Sequence, residues 1–121
     1  MDGTVHIDPT VPFDEAARLI AQGLAIPFSQ DIEGKYEEFP AWTGSGGGLR
    51  FVLLGVPLPE HDVRDERTND YELQIHSEHE AYAKVSPGYA AHNIEVSAYF
   101  ARLVHAKTGL TCKAIERPNA A

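Results

Sequence analysis

A nearly apolar run of eight residues, Leu49–Val56, constrains the fold of this chain more than any other segment. Its length and its Leu, Val and Phe content are typical of a central β-strand that is buried on both faces. Pro57 and Pro59 end the run, and the glycine-rich segment Gly44–Gly48 precedes it. A phosphate-binding loop would need a following lysine and would open a helix, so the glycines predict a hairpin connection instead.

Three further segments have the pattern of strands. Tyr71–His76 alternates apolar and polar residues, which predicts a strand with one buried face. The residues expected to face inward are Tyr71, Leu73 and Ile75. Ala81–Val85 is a weaker strand candidate, and Leu110–Ile115 fits a short final strand.

Two segments have helical periodicity. Thr10–Leu24 carries apolar residues at helical spacing, and Pro12 suits a first turn. Ile94–Lys107 is the stronger candidate, with Asn93 as its N-cap and Gly109 as its C-terminal stop. The expected inner stripe of this second helix is Val96, Phe100, Leu103 and Val104.

The order of these elements predicts the α+β class, with a mostly antiparallel sheet of about 4–5 strands backed by two helices. The length of 121 residues suits a single globular domain over residues 1–121. We expect frayed ends at about residues 1–8 and 117–121.

Charge is the main guide to function. The chain has 18 acidic residues against 10 lysines and arginines, a net charge of −8, and eight of its carboxylates fall between Glu60 and Glu80. This field repels nucleic acids and anionic membranes, and it attracts basic proteins or metal cations. We therefore expect a protein partner and no direct binding to nucleic acid or membrane.

The compartment follows from cysteine usage and from the start of the chain. Cys112 is the single cysteine, so no internal disulfide can form. Residues 1–4 lack the basic and apolar regions of a signal peptide, and no apolar run reaches the roughly 20 residues that span a bilayer. A cytoplasmic protein is predicted.

A metal site is one alternative. His76, His79 and Glu80 lie close in sequence, and imidazole with carboxylate suits zinc. The strand assignment puts His76 near a strand end and His79 in a turn, so surface histidines without metal are the favoured interpretation.

Nucleophilic catalysis lacks an assignable arrangement. Cys112 would need His105 or His92 as a base, and packing as a small apolar residue on the last strand is the simpler interpretation. The sequence therefore predicts a binding protein, without catalytic residues or a cofactor.

The clustered acids are the predicted contacts of a basic partner, because carboxylates steer association while aromatic side chains supply buried area. The first predicted patch consists of Asp62, Asp65, Glu66, Asp70 and Glu72. The second consists of Tyr36, Glu37 and Glu38. Trp42 adds to the second patch only if it is not a core residue.

A comparison with a known class of proteins is prompted by three segments: Gly34–Trp42, the strand Leu49–Val56 and the acidic loop through Tyr71–Ile75. A small, acidic, α+β chain of this type resembles the immunity proteins of bacterial polymorphic toxin systems, especially those of contact-dependent growth inhibition. The resemblance implies a cytoplasmic inhibitor that covers a cognate toxin, often a basic nuclease domain. Two alternatives remain. One is a small metal-binding enzyme that uses His76 and His79, and the other is an accessory module that holds a small molecule on its sheet.

Overall fold

The computed structural model describes residues 1–36, 38–64, 68–78 and 94–115. In chain order the elements are β1 (Asp2–Ile7), α1 (Phe13–Leu24), β2 (Phe28–Gln30), β3 (Ala41–Gly46), β4 (Leu49–Leu54), a 3₁₀ turn (Pro59–His61), β5 (Tyr71–Ser77), α2 (Ser97–Thr108) and β6 (Cys112–Ala114). The α+β class is confirmed, with six strands in the described residues instead of four or five. None of the helices among those residues is long and apolar enough to cross a bilayer.

The six strands form one antiparallel sheet in the order β2-β3-β4-β5-β1-β6. The predicted hairpin joins β3 to β4, and its two turn residues, Gly47 and Gly48, have φ angles of 62° and 81°. Positive φ at both positions of a two-residue loop is costly for residues with a β-carbon, which explains the glycine pair. The prediction of a hairpin connection is therefore confirmed.

The expectation of a frayed N-terminus is wrong. Residues 2–7 form β1, which pairs with β5 along its whole length and with β6 at its C-terminal half. Val5 and Ile7 are fully buried, while Thr4 and His6 alternate with them on the opposite face. The strand is stabilised by partners more than 60 residues away, which no local pattern reveals.

Both helices contribute to one core on one face of the sheet. Its largest fully buried apolar side chains are Phe51, Ile7, Ile20, Leu53, Leu73, Ile75, Val5 and Val104. The alternation predicted for β5 is confirmed, because Tyr71, Leu73 and Ile75 are buried in this core. Hydrophobic burial of this layer provides the main stabilisation of the fold.

The second face of the sheet is partly covered by the loop between β2 and β3. Ala41, Val52 and Leu54 form a small apolar cluster there, and Tyr36 and Phe39 from the loop pack against it. Residues 51–54 of β4 are therefore buried on both faces, close to the prediction from its composition, whereas Arg50 is exposed. The remainder of this second face is polar.

Helix α2 begins at Ser97, three residues later than predicted. Residues 94–96 lie beside β1, where the Asp2 N–H donates to the Ile94 carbonyl at 3.0 Å and the Val96 N–H donates to the Asp2 carbonyl at 2.9 Å. Backbone groups engaged in this way cannot start a helix. The Glu95 carboxylate instead accepts the Ser97 N–H at 2.7 Å at the helix start.

The end of α2 matches its prediction. Gly109 adopts the left-handed conformation at the C-cap, and Val96, Phe100 and Val104 are buried beneath the helix. The predicted strand Ala81–Val85, the predicted N-cap Asn93 and the tail 117–121 lie outside the described residues.

Candidate functional site

Two loops emerge from the same end of the sheet. Strand β4 ends at Leu54, which pairs with Ala41 at the start of β3 and with Glu72 near the start of β5. The β2–β3 loop (residues 31–40) and the β4–β5 loop (residues 55–70) therefore lie side by side. The Gly55 N–H donates to the Pro40 carbonyl across them at 2.8 Å.

We call the surface formed by these two loops the acidic loop surface. Its described carboxylates are Asp31, Glu33, Glu38, Glu60, Asp62 and Asp70, and its described cations are Lys35 and Arg64. Glu33 and Glu60 are exposed, whereas Glu38 and Asp70 are half-buried. Of the residues predicted for the two acidic patches, the topology brings Glu38, Asp62 and Asp70 onto these adjoining loops.

Asp62 has a structural role on this surface. Its carboxylate accepts hydrogen bonds from Arg64 Nε at 2.9 Å, from Arg64 Nη2 at 2.8 Å and from the Arg64 N–H at 3.2 Å. Its side chain is only 8% exposed. The pKa of Arg64 is raised mainly by the hydrogen bonds to this carboxylate, and the charge of Glu38 adds to the effect.

Three large apolar side chains stand exposed among these acids, and sequence reasoning did not single them out. Ile32 is 88% exposed, Val63 is 78% exposed and Leu58 is 59% exposed. Each lies next to a proline or a charged residue in the sequence. Isolated apolar side chains are common on protein surfaces, so the feature that distinguishes these three is their position among the carboxylates of two adjoining loops.

The predicted contacts Tyr36 and Glu72 face the polar side of the sheet. Glu72 is half-buried; its Oε1 lies 3.2 Å from His6 Nε2, and its Oε2 accepts the Gln74 side-chain amide at 2.7 Å. The Tyr36 hydroxyl accepts a hydrogen bond from Arg50 Nη2 at 2.9 Å. Three other predicted contacts, Glu37, Asp65 and Glu66, lie outside the described residues.

Trp42 belongs to the core. It packs against the main apolar cluster on the helix side of the sheet, and its indole N–H points to Asp14 Oδ1 at 3.4 Å. It therefore does not extend the aromatic contribution of Tyr36, which lies on the opposite face. Phe39 likewise packs inward, against Val52 and Leu54.

The histidine region gives no metal centre within the described part of the chain. His76 Nδ1 lies 3.4 Å from Asp2 Oδ1, and its Nε2 lies 3.5 Å from Gln74 Oε1. No group of three potential metal ligands occurs among the described residues. His79 and Glu80 lie outside them, so the zinc alternative stays a prediction.

Cys112 lies on β6, half-buried against the core, as predicted for a small apolar residue. Burial raises the pKa of its thiol to about 11, and the charge of Asp8 adds to the effect. A raised pKa disfavours the thiolate that a nucleophile needs. His105, one of the two bases considered, directs its Nδ1 to the Leu110 carbonyl at 2.8 Å; His92 lies outside the described residues.

Comparison with known proteins adds no family. No protein-family model, curated protein or solved structure matches this chain. The function is therefore argued from the surfaces described above.

Proposed function

We propose that this protein is an intracellular protein-binding inhibitor, an immunity protein that neutralises a cognate basic toxin, such as a nuclease domain, by electrostatic and steric occlusion. The observation that supports it is the acidic loop surface, where exposed Ile32, Leu58 and Val63 stand among carboxylates from two adjoining loops. Apolar anchors within a charged rim are the composition of a protein interface rather than of a merely solvated loop.

The charges and the apolar side chains have separate roles in this proposal. Exposed Glu33 and Glu60 contribute to the acidic field that attracts a basic partner, and such a field raises on-rates roughly 10- to 10³-fold. Lys35 Nζ lies 3.3 Å from Glu33 Oε2 and offsets part of the charge of Glu33, so Glu60 is the stronger steering residue. Ile32 and Val63 lose water on contact and slow dissociation. Asp62, whose carboxylate is used by Arg64, shapes the loop more than it steers the partner.

The proposal is tested by purifying the tagged chain from its native host and identifying any stoichiometric companion by mass spectrometry. We expect a basic protein that is released by high salt and whose activity the purified chain blocks. Recovery of the chain alone, or of a companion whose activity it leaves intact, would contradict the proposal.

Charge-reversal variants then locate the surface. We expect Glu60→Lys to lower the association rate about tenfold and Glu33→Lys to lower it by less, with the rate losing much of its salt dependence. Glu78→Lys is the matched control, because Glu78 is an exposed acid at the opposite end of β5. Equal effects from all three variants would show only a response to net charge and would refute the assigned surface.

A further inference from the structure

A second surface lies on the polar face of the sheet, apart from the loop anchors. A cleft of about 670 Å³ opens there, and its floor is Val52, which is 3% exposed. Its other lining residues are Tyr36, Arg50, Gln74, His76, Ser77 and Glu78. The cleft is open to solvent and is lined mainly by polar side chains.

Arg50 is the distinctive group in this cleft. It is exposed, and Tyr36 holds its guanidinium through the 2.9 Å hydrogen bond to the phenol oxygen. Arg18 and Arg64 pair with Glu15 and Asp62, but no carboxylate lies within ion-pair distance of Arg50 among the residues that the structure describes. Arg50 therefore presents an oriented guanidinium on the sheet face.

The strand register adds polar groups beside this cation. His76 lies directly across the β4–β5 ladder from Arg50, so their side chains project from the same face as neighbours. The Gln74 amide is oriented by its bond to Glu72. A planar oxyanion can accept two parallel N–H bonds from a guanidinium, which is the geometry that arginine provides.

Glu78 restricts the charge of the ligand. It is exposed and lines the same cleft, so it repels a second negative charge placed there. The partly exposed Tyr36 ring offers apolar area beside the cation, whereas Val52 is almost fully buried. The features together favour a singly charged anion with an apolar body.

We propose that this cleft binds a small monocarboxylate, whose carboxylate pairs with Arg50 and whose apolar body packs against the Tyr36 ring. The site uses a cation on the sheet face and not the carboxylates of the loops, and it shares only Tyr36 with the predicted partner contacts. Its ligand could be present whether or not a toxin partner exists.

The test is a titration of the ¹⁵N-labelled full chain with benzoate, followed by amide chemical shifts. We expect saturable shifts at Arg50, Val52 and Gln74, and none with benzamide, which has the same shape without the charge. Arg50→Gln should weaken benzoate binding about tenfold or more, as expected for loss of a charge-assisted hydrogen-bonded pair. Arg102→Gln is the matched control, since Arg102 is exposed on α2 and the change in net charge is identical.

Three results would overturn the proposal. Benzoate shifts of equal size in Arg50→Gln and in the unmodified chain would show that Arg50 does not bind the carboxylate. Equal shifts with benzamide would remove the need for charge. Tighter binding of inorganic phosphate than of benzoate would contradict the selection that we assign to Glu78.

Discussion

Gly23 of α1 lies against Lys107 of α2 so closely that a β-carbon added to the glycine would be 2.9 Å from the Lys107 Cβ. Gly23→Ala should therefore destabilise the fold by about 1 kcal/mol. The gain in helix propensity, about 1 kcal/mol, is outweighed by overpacking of roughly 1–3 kcal/mol. Urea unfolding of the unmodified protein and of Gly23→Ala measures the difference in unfolding free energy.

The Lys107 β-carbon offers a control for this contact. In a Lys107→Gly background the closest contact is absent and the Thr108 Cγ2 contact at 3.2 Å remains, so Gly23→Ala should there cost less than in the unmodified protein. A cost that is the same in both backgrounds would show that the close approach of the two helices is not its cause.

Two isoleucines test the placement of β1 and of the acidic loop surface together. Ile7 is fully buried, whereas Ile32 is 88% exposed. Ile7→Ala should cost about 2–5 kcal/mol of unfolding free energy, and Ile32→Ala should change it by less than about 0.5 kcal/mol. Thermal and urea unfolding measure both, and a stable Ile7→Ala variant would argue against β1 as an interior strand.

A comparison of Asp62 with Glu60 distinguishes a carboxylate that stabilises the fold from one that steers a partner. Asp62→Asn weakens the bonds to Arg64 and should cost about 1 kcal/mol of unfolding free energy, since bonds to charged groups are stronger than neutral ones. Glu60→Gln makes the same charge change at an exposed position and should leave stability unaltered. Equal stability of the two variants in urea would refute the structural role of Asp62.

The ionisation of Cys112 should lower the stability of the protein at alkaline pH. The pKa of its thiol is about 11 in the folded chain, whereas it is about 8.5 in an unfolded chain. Between these values the unfolded chain has lost a proton that the folded chain keeps, so stability should fall as pH rises. Urea midpoints at pH 8 and pH 10 measure the loss, and Cys112→Ala should reduce it; an unchanged pH dependence in that variant would contradict the assignment.

The thiol should also react slowly near neutral pH. A disulfide reagent attacks through the thiolate, which the folded chain suppresses. We expect labelling at pH 8 to be much slower in buffer than in denaturing urea. Equal rates in the two conditions would show an accessible, ionised Cys112.

Segments with strong local periodicity were predictable from the sequence. The apolar composition of β4 indicated burial on both faces, and the alternation in β5 identified Tyr71, Leu73 and Ile75 as inward. Gly109 marked the end of α2. In each case a residue's environment follows from its immediate neighbours in the chain, so a short window contains the information.

The N-terminal strand and the start of α2 were not predictable in the same way. Both depend on Asp2, whose backbone pairs with residues 94–96 on one side, while its strand pairs with β5 on the other. The alternation of Val5 and Ile7 is present in the sequence but is too short to distinguish a strand from a polar tail. Hydrogen bonding to distant backbone decided the outcome.

The candidate surfaces were likewise predictable only in part. Composition alone established the excess of carboxylates and therefore the sign of the field around the protein. Only the tertiary structure joined the two acidic loops at one end of the sheet, turned Asp62 toward Arg64, and set Arg50 beside His76 and Tyr36 in a cleft. Net charge is a sum that sequence order does not alter, whereas contacts between side chains depend on strand register and loop closure, which the whole chain determines at once.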